Sequence, residues 1–364
     1  MKICLVTIHA STNYGGVLQS YATQKSLENF GEVKILDYRN KFINKHMQLI
    51  RFGINPRDIL RIAKDLFRLY PRYRVINKFQ KFINNRMNLH IFDRSQLSCL
   101  EDEFDVFITG SDQVWNPKVL GENGEFDSIY LLNFVESKRK ISYASSIGSY
   151  VVSDEDELMV ALQSFDKLSL RESDSVIDVS KILDRDVSHV LDPTLLLSKN
   201  QWIDMLNLLN YKVNKNEYIF LYAIERDALF IETVNFFSKK LGIDIVIVDQ
   251  DPFINLSVTQ HYRSASPEFF LSLLLNAELV ITNSFHGAAF SVNFERSFFA
   301  TLPPSSPNRV TSFLTSVGLG TRLISNKNQL NGILDKDVCD FNNSREHLSA
   351  LRKSSFEYLN SSLA

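Results

Sequence analysis

Residues 2–27 read KICLVTIHASTNYGGVLQSYATQKSL, and this stretch decides the fold class. Lys2–Ile8 is a nearly unbroken apolar run, the pattern of a strand covered on both faces. The polar turn Ser11-Thr12-Asn13-Tyr14-Gly15-Gly16 follows, and a helical run extends from Val17 to Phe30. Strand, glycine turn and helix in that order open a βαβ unit. Ligands of open parallel sheets sit beyond the carboxyl ends of the strands. A helix start placed there offers N–H donors and a positive dipole end to an anion. Gly15 and Gly16 would let the backbone approach such a ligand closely. The spacing is not the G-x-G-x-x-G of dinucleotide sites, and only Asp37 could serve a ribose. A purely structural turn is the other reading.

The same alternation runs outward along the chain. Further strands are expected at Val33–Tyr38, Asp105–Thr109, Lys140–Ala144, Lys167–Leu170 and His189–Leu191. A second series begins near Glu217 with YIFLYAI and continues through Asp244–Val248, Glu278–Thr282 and Ser297–Thr301. Between the series, Asp192-Pro193-Thr194 ends a strand and the polar run Ser198-Lys199-Asn200-Gln201 follows. With 364 residues and 45% hydrophobic content, two domains with separate cores are expected, at 1–195 and 196–364. The terminal helix is expected to pack back on the first.

The formal net charge of −2 gives no footprint for nucleic acid. Cys4, Cys99 and Cys339 lack the spacing of a disulfide framework or a zinc site. No run reaches the length of a spanning helix, and the opening apolar stretch is too short for a signal peptide. A cytoplasmic location is the resulting expectation. One segment departs from neutrality: 51–86 carries ten Lys and Arg against Asp58 and Asp65. Ile59, Ile62, Leu66 and Leu69 recur at helical spacing, giving an amphipathic helix with a basic face. It is either a solvated helix docked by its apolar stripe, or a contact with acidic headgroups on the cytoplasmic face of the membrane or with an anionic saccharide carrier.

Three more strand ends carry residues that a core does not ask for. The first is Thr109-Gly110-Ser111-Asp112-Gln113-Val114-Trp115-Asn116-Pro117, where Asp112 is the only carboxylate and suits a sugar hydroxyl or a general base. Its bland reading is a helix cap by Ser111 or Asp112 with Trp115 folded onto the core. Leu170-Arg171-Glu172-Ser173 offers Arg171 as a bidentate clamp for phosphate or carboxylate, or else as half of a structural Arg171–Glu172 network. Ile281-Thr282-Asn283-Ser284-Phe285-His286-Gly287 is the strongest: His286 falls at a helix start beside Gly287, where an anion is held. A Ser284–His286 hydrolase pair is disfavoured, because G-x-S-x-G is absent.

Six motifs together resemble the polysaccharide pyruvyl transferase family: NYGGVLQSYAT (13–23), DVFITGSDQVWNP (105–117), ISYASSIG (141–148), LRESDS (170–175), VLDPTLLL (190–197) and TNSFHGAAFSVNF (282–294). The resemblance implies an α/β fold of two Rossmann-like domains facing a central cleft, like the GT-B glycosyltransferases. The first domain would be the acceptor side and the second the donor side. It implies transfer of the enolpyruvyl unit of phosphoenolpyruvate onto a sugar, giving a pyruvate ketal and phosphate, with phosphoenolpyruvate as co-substrate, no other cofactor and no metal. Arg171 and His286 fall where the family binds or protonates the donor.

The chemistry of that donor, which carries a carboxylate and a phosphate, points to Arg171, Ser284, His286, Gly287, Asn13, Gly15, Gly16 and, more weakly, Arg309. Tyr14, Asp112, Gln113 and Trp115 are expected on the acceptor, a saccharide that is free or lipid-linked. His286, Asp112 and Arg171 form the expected catalytic set. Two other functions fit the same architecture: a nucleotide-sugar glycosyltransferase, and a saccharide-binding protein without catalysis.

Overall fold

In the computed structural model the described residues are 1–50, 62, 65–121, 124–213, 217–302, 307–333 and 339–364. The chain divides into two compact units. The first comprises Met1–Gln48, Phe79–Leu197 and Ala350–Ala364; the second comprises Leu49–Lys78 and Ser198–Ser349.

The first unit is built on a parallel sheet of β1 (Lys2–Val6), β2 (Glu32–Leu36), β3 (Leu89–His90), β4 (Val106–Thr109) and β5 (Arg139–Ser142). Their spatial order is β3-β2-β1-β4-β5. Ile3 lies opposite both Val33 and Val106, so the first strand is central. Four of the five residues of β1 and all four of β4 are buried, as continuous apolar runs require. Cys4 is among them, and burial raises its thiol pKa far above the ordinary value. Helix α1 (Tyr14–Leu27) follows β1 directly. Beyond β5 a short ladder of β6 (Ser169–Leu170) and β7 (Ser188–His189) is reached through serines rather than a regular ladder. Ser142 Oγ donates to Ser169 O at 3.0 Å, and Ser169 Oγ returns the bond to Ser142 O at 2.8 Å.

The last helix runs from Asn342 to Leu363, and its final residues belong to this first unit. Tyr358 Oη donates to Ser142 O at 2.7 Å, and Ser355 Oγ accepts from Leu191 N at 3.0 Å.

The second unit repeats the plan with β8 (Tyr218–Tyr222), β9 (Asp244–Val248), β10 (Gln260–Tyr262), β11 (Leu279–Thr282), β12 (Phe298–Thr301) and β13 (Leu323–Ile324). All pairs are parallel, in the order β10-β9-β8-β11-β12-β13. Ile219, Leu221, Ile245, Ile247, Ile281 and Phe299 form its core with Phe230 and Phe237 of the helix Ala228–Leu241. In both sheets the chain order reverses beside the first strand, between β1 and β4 and between β8 and β11. Ligand crevices of doubly wound sheets open at such switch points.

Three elements differ from the sequence reading. β3, β10 and β13 are edge strands of two or three residues, too short for a hydrophobic period to register. The segment 51–86 does not belong wholly to the first unit, since Leu49–Lys78 cluster with the second, and the division falls at Leu197 rather than at 195. Of the expected apolar stripe, Ile59 lies outside the described residues, while Leu66 and Leu69 are exposed. The face that packs inward is instead Val75, Ile76, Phe79, Phe82 and Ile83.

One polar pair ties the ends of β1 and β2. Asp37 Oδ1 lies 3.0 Å from His9 Nε2, and Arg39 Nε donates to the same oxygen at 2.9 Å. Burial opposes the charge on Asp37, yet the bonds from His9 and Arg39 hold its pKa down at about 2. A depressed carboxyl stabilises the fold above its unfolded pKa and loses that contribution as pH falls toward the folded value. Between about pH 4 and 2 the wild type should therefore lose about 2 kcal/mol through this group, at roughly 1.4 kcal/mol per unit. Urea unfolding across that range checks it: Asp37→Asn should flatten the acid limb, and an unchanged slope would show that Asp37 plays no part.

Candidate functional site

At the carboxyl end of β1, Asn13 caps α1. Its Oδ1 accepts from Gly15 N at 2.9 Å and from Gly16 N at 3.4 Å. These two N–H groups, expected to hold the donor, are thus taken by the cap. Tyr14 is nearly buried, with its ring 4.9 Å from that of Phe79.

Asp112 follows β4 in the left-handed region, φ 76°, and Ala144 after β5 shares it at φ 52°. For non-glycine residues this conformation is costly and tends to cluster at functional sites. Ser145 Oγ bridges the two loops by donating to Gly110 O at 3.0 Å and Thr109 O at 3.2 Å. The carboxylate of Asp112 is half-buried, with Oδ2 3.3 Å from the position a Cβ on Gly16 would take, so it shares the crevice of α1. Gln113 accepts from Asn116 Nδ2 at 2.7 Å. Trp115, expected on the acceptor, is wholly buried, and its Nε1 donates to Tyr130 O at 3.1 Å. It is a core residue. Asn116, not Ser111 or Asp112, caps the short helix that follows.

Arg171 follows β6. Its guanidinium is buried, with Nε donating to Glu172 Oε1 at 3.1 Å and Nη1 to Asp192 Oδ2 at 2.8 Å. Burial works against its charge, but Glu172, Asp192 and, through space, Asp112 together raise its pKa above the ordinary arginine value. The structure thus shows the Arg171–Glu172 network that was the other reading of LRES, extended to Asp192. The wider network went unread in the sequence. Asp192 also accepts from Thr194 N and Oγ1, at 3.0 and 2.7 Å, and Ser146 Oγ donates to Glu172 Oε1 at 2.8 Å. The signal was present in LDPT, whose aspartate before proline is a turn cap, but its partner lies 21 residues away.

In the second unit, β11 delivers Asn283 and Ser284 to α3 (Phe285–Phe294). Asn283 Oδ1 accepts from Ile224 N at 2.7 Å, pinning the turn to the end of β8. Thr282 Oγ1 donates to Tyr222 O at 2.7 Å and accepts from Ser284 N at 3.0 Å. Unlike Asn13, the cap residue Ser284 makes no side-chain bond to the first turn of its helix. His286 is buried in that turn, its ring edge-on to Phe285 at 5.2 Å. Phe285 meets Phe313 of α4 (Pro307–Ser316) at 5.4 Å. Arg309 stands one turn before Phe313, hence on the face of α4 that meets the start of α3.

A separate cavity of about 490 Å³ opens beside the ends of β8 and β9, lined by Arg68, Ile224, Arg226, Asp249, Asp251, Phe253 and Asn255. Its charges are paired, Arg226 with Asp249 and Arg68 with Asp251, and it contains none of the residues singled out in the sequence. Among the described residues no group of three or more His, Cys, Asp or Glu could hold a metal ion, and no helix is long and apolar enough to cross a membrane.

Gly287 decides how α3 packs. A Cβ there would lie 2.1 Å from Thr282 Oγ1, and Thr282 cannot rotate away without losing both its bonds. Alanine gains about 1 kcal/mol over glycine inside a helix, whereas overpacking costs about 1–3 kcal/mol, so the clash wins. Gly287→Ala should lower the urea midpoint, while Gly320→Ala, where an added Cβ meets nothing within 4 Å, should stay within about 0.5 kcal/mol of wild type. Equal midpoints for the two variants would contradict this packing.

The family model described as polysaccharide pyruvyl transferase matches residues 13–303. No curated protein matches the chain. Among solved structures, S. aureus MnaA with UDP superposes at a TM-score of 0.53 and 11% identity, over 96% of this chain and 91% of that one. The UDP-GlcNAc 2-epimerase of Methanocaldococcus jannaschii superposes at 0.50 and 11%, over 98% and 100%. At such identities the likeness shows the fold alone, and that fold is of the GT-B type.

Proposed function

Since the chain belongs to the polysaccharide pyruvyl transferase family, we propose that it moves the enolpyruvyl group of phosphoenolpyruvate onto a sugar of a polysaccharide or its precursor, forming a pyruvate ketal. The observation that carries the donor assignment is the contrast between two helix starts. α1 has its first-turn amides capped by Asn13, whereas Ser284 leaves the first turn of α3 without a side-chain cap. Such a turn suits an anion. The second unit therefore takes the donor, through Ser284, His286, Gly287 and Arg309. The first unit takes the acceptor, with Asp112 and Gln113 on its hydroxyls.

The chemistry follows from the donor. A proton delivered to the methylene carbon turns it into a methyl group and builds oxocarbenium character at the carbon bearing phosphate. One sugar hydroxyl attacks that carbon and gives up its proton. Phosphate then leaves with the C–O bonding pair, and a second hydroxyl closes the ketal with loss of its own proton. In balance, one of the two hydroxyl protons is matched by the methyl group and the other leaves with phosphate. His286 is the general acid, and Asp112 accepts the attacking hydroxyl's proton. No metal is called on at any step.

Phosphate release from phosphoenolpyruvate, followed by ³¹P NMR with a panel of acceptor sugars, tests the reading. His286→Ala should slow release by on the order of 10²–10⁴ while circular dichroism stays unchanged. Near-wild-type turnover would remove His286 from the mechanism. Thermal stabilisation by UDP-sugars but not by phosphoenolpyruvate would replace the donor.

A further inference from the structure

Helix α2 (Leu69–Arg86) and the residues just before it carry apolar side chains on two opposite faces. The inward face, Val75, Ile76, Phe79, Phe82 and Ile83, is buried. The outward face is apolar as well: Leu66 is 55% exposed, Phe67 77%, Tyr70 69% and Tyr73 51%, and Leu69 is exposed beside them. A helix docked on a globular unit ordinarily shows solvent a polar face. Single exposed apolar residues need no explanation, but five within eight positions form a patch.

The charges on this stretch are sorted by face. Arg72 is buried and Arg68 pairs with Asp251, while Lys78 donates to Ser264 O. Arg74 and Lys81 are exposed and share the outward face with Tyr70 and Tyr73. The Arg74 guanidinium lies 5.7 Å from the Tyr70 ring centre, which holds a cation at the border of the aromatic cluster. No acidic residue occurs between Leu66 and Arg86.

We propose that this face, Leu66, Phe67, Leu69, Tyr70 and Tyr73 with Arg74 and Lys81, seats the protein on the surface of an anionic lipid bilayer. Aromatic side chains with a polar tip favour the headgroup boundary, Phe67 and Leu66 supply apolar area below it, and the cations meet lipid phosphate. The helix lies in the plane of the interface and does not span it. This inference stands apart from the donor and acceptor assignments, and no catalytic residue takes part.

The test is co-sedimentation of the full chain with vesicles of phosphatidylcholine alone, or of equal parts phosphatidylcholine and phosphatidylglycerol. Binding is expected on the anionic vesicles and should weaken in high salt. Phe67→Ser/Tyr70→Ser should reduce it about tenfold or more. Arg74→Glu/Lys81→Glu should reduce it by a similar factor, at about 1 kcal/mol per charge. Circular dichroism and pyruvyl transfer to a soluble sugar should match wild type in both variants. Absence of binding, or binding that neither variant weakens, would overturn the proposal. So would a wild-type dimer in light scattering that Phe67→Ser/Tyr70→Ser converts to monomer, because the patch would then be an interface between copies.

Discussion

One buried guanidinium sets the character of the first unit's strand ends. Arg171 is fixed from two directions, by Glu172 beside it and by Asp192 from the next strand end. Removing one partner of such a buried pair typically costs about 3–5 kcal/mol, because the other charge is left uncompensated. The network reaches further, through Ser146 to the loop after β5 and through Thr194 to the turn after β7. It ties together the loops that follow β5, β6 and β7. A positive residue at a strand end therefore says nothing about anion binding until its own partners are counted.

The second unit answers the same problem differently. Its switch-point turn is held by neutral groups: Asn283 bonds the backbone after β8, and Thr282 bonds both Tyr222 and Ser284. Those bonds consume side chains that could otherwise have capped α3. Gly287 packs against Thr282 without a Cβ, so the helix starts close to the strand that feeds it. The first turn is thus placed by its neighbours rather than by a side-chain cap from Ser284. The repeated βα plan is held by charged groups in one unit and by neutral ones in the other.

Much of this was legible in one dimension. Buried parallel strands announce themselves as unbroken apolar runs, so β1, β4, β9 and β11 could be placed to within two residues. The polar turns after β1, β4 and β11 were legible as well, and α3 begins at Phe285 beside His286, as the motif led one to expect. Edge strands were not legible, since two residues such as Leu89 and His90 carry no period. Nor was the face of α2: the same run of apolar residues supports two helical stripes, and only packing selects Val75, Phe79 and Phe82 over Leu66 and Leu69.

What the sequence by itself determined was the type of each unit and the places where polar residues interrupt it, because burial on both faces of a parallel sheet dictates residue character directly. What the tertiary structure decided was which of those polar groups are still available. Trp115 spends its indole N–H on Tyr130, Asn13 spends its carbonyl on two amides, and Arg171 spends its charge on carboxylates. A hydrogen bond has one donor and one acceptor, and when the partner arrives from another strand the sequence names both groups without saying that they meet.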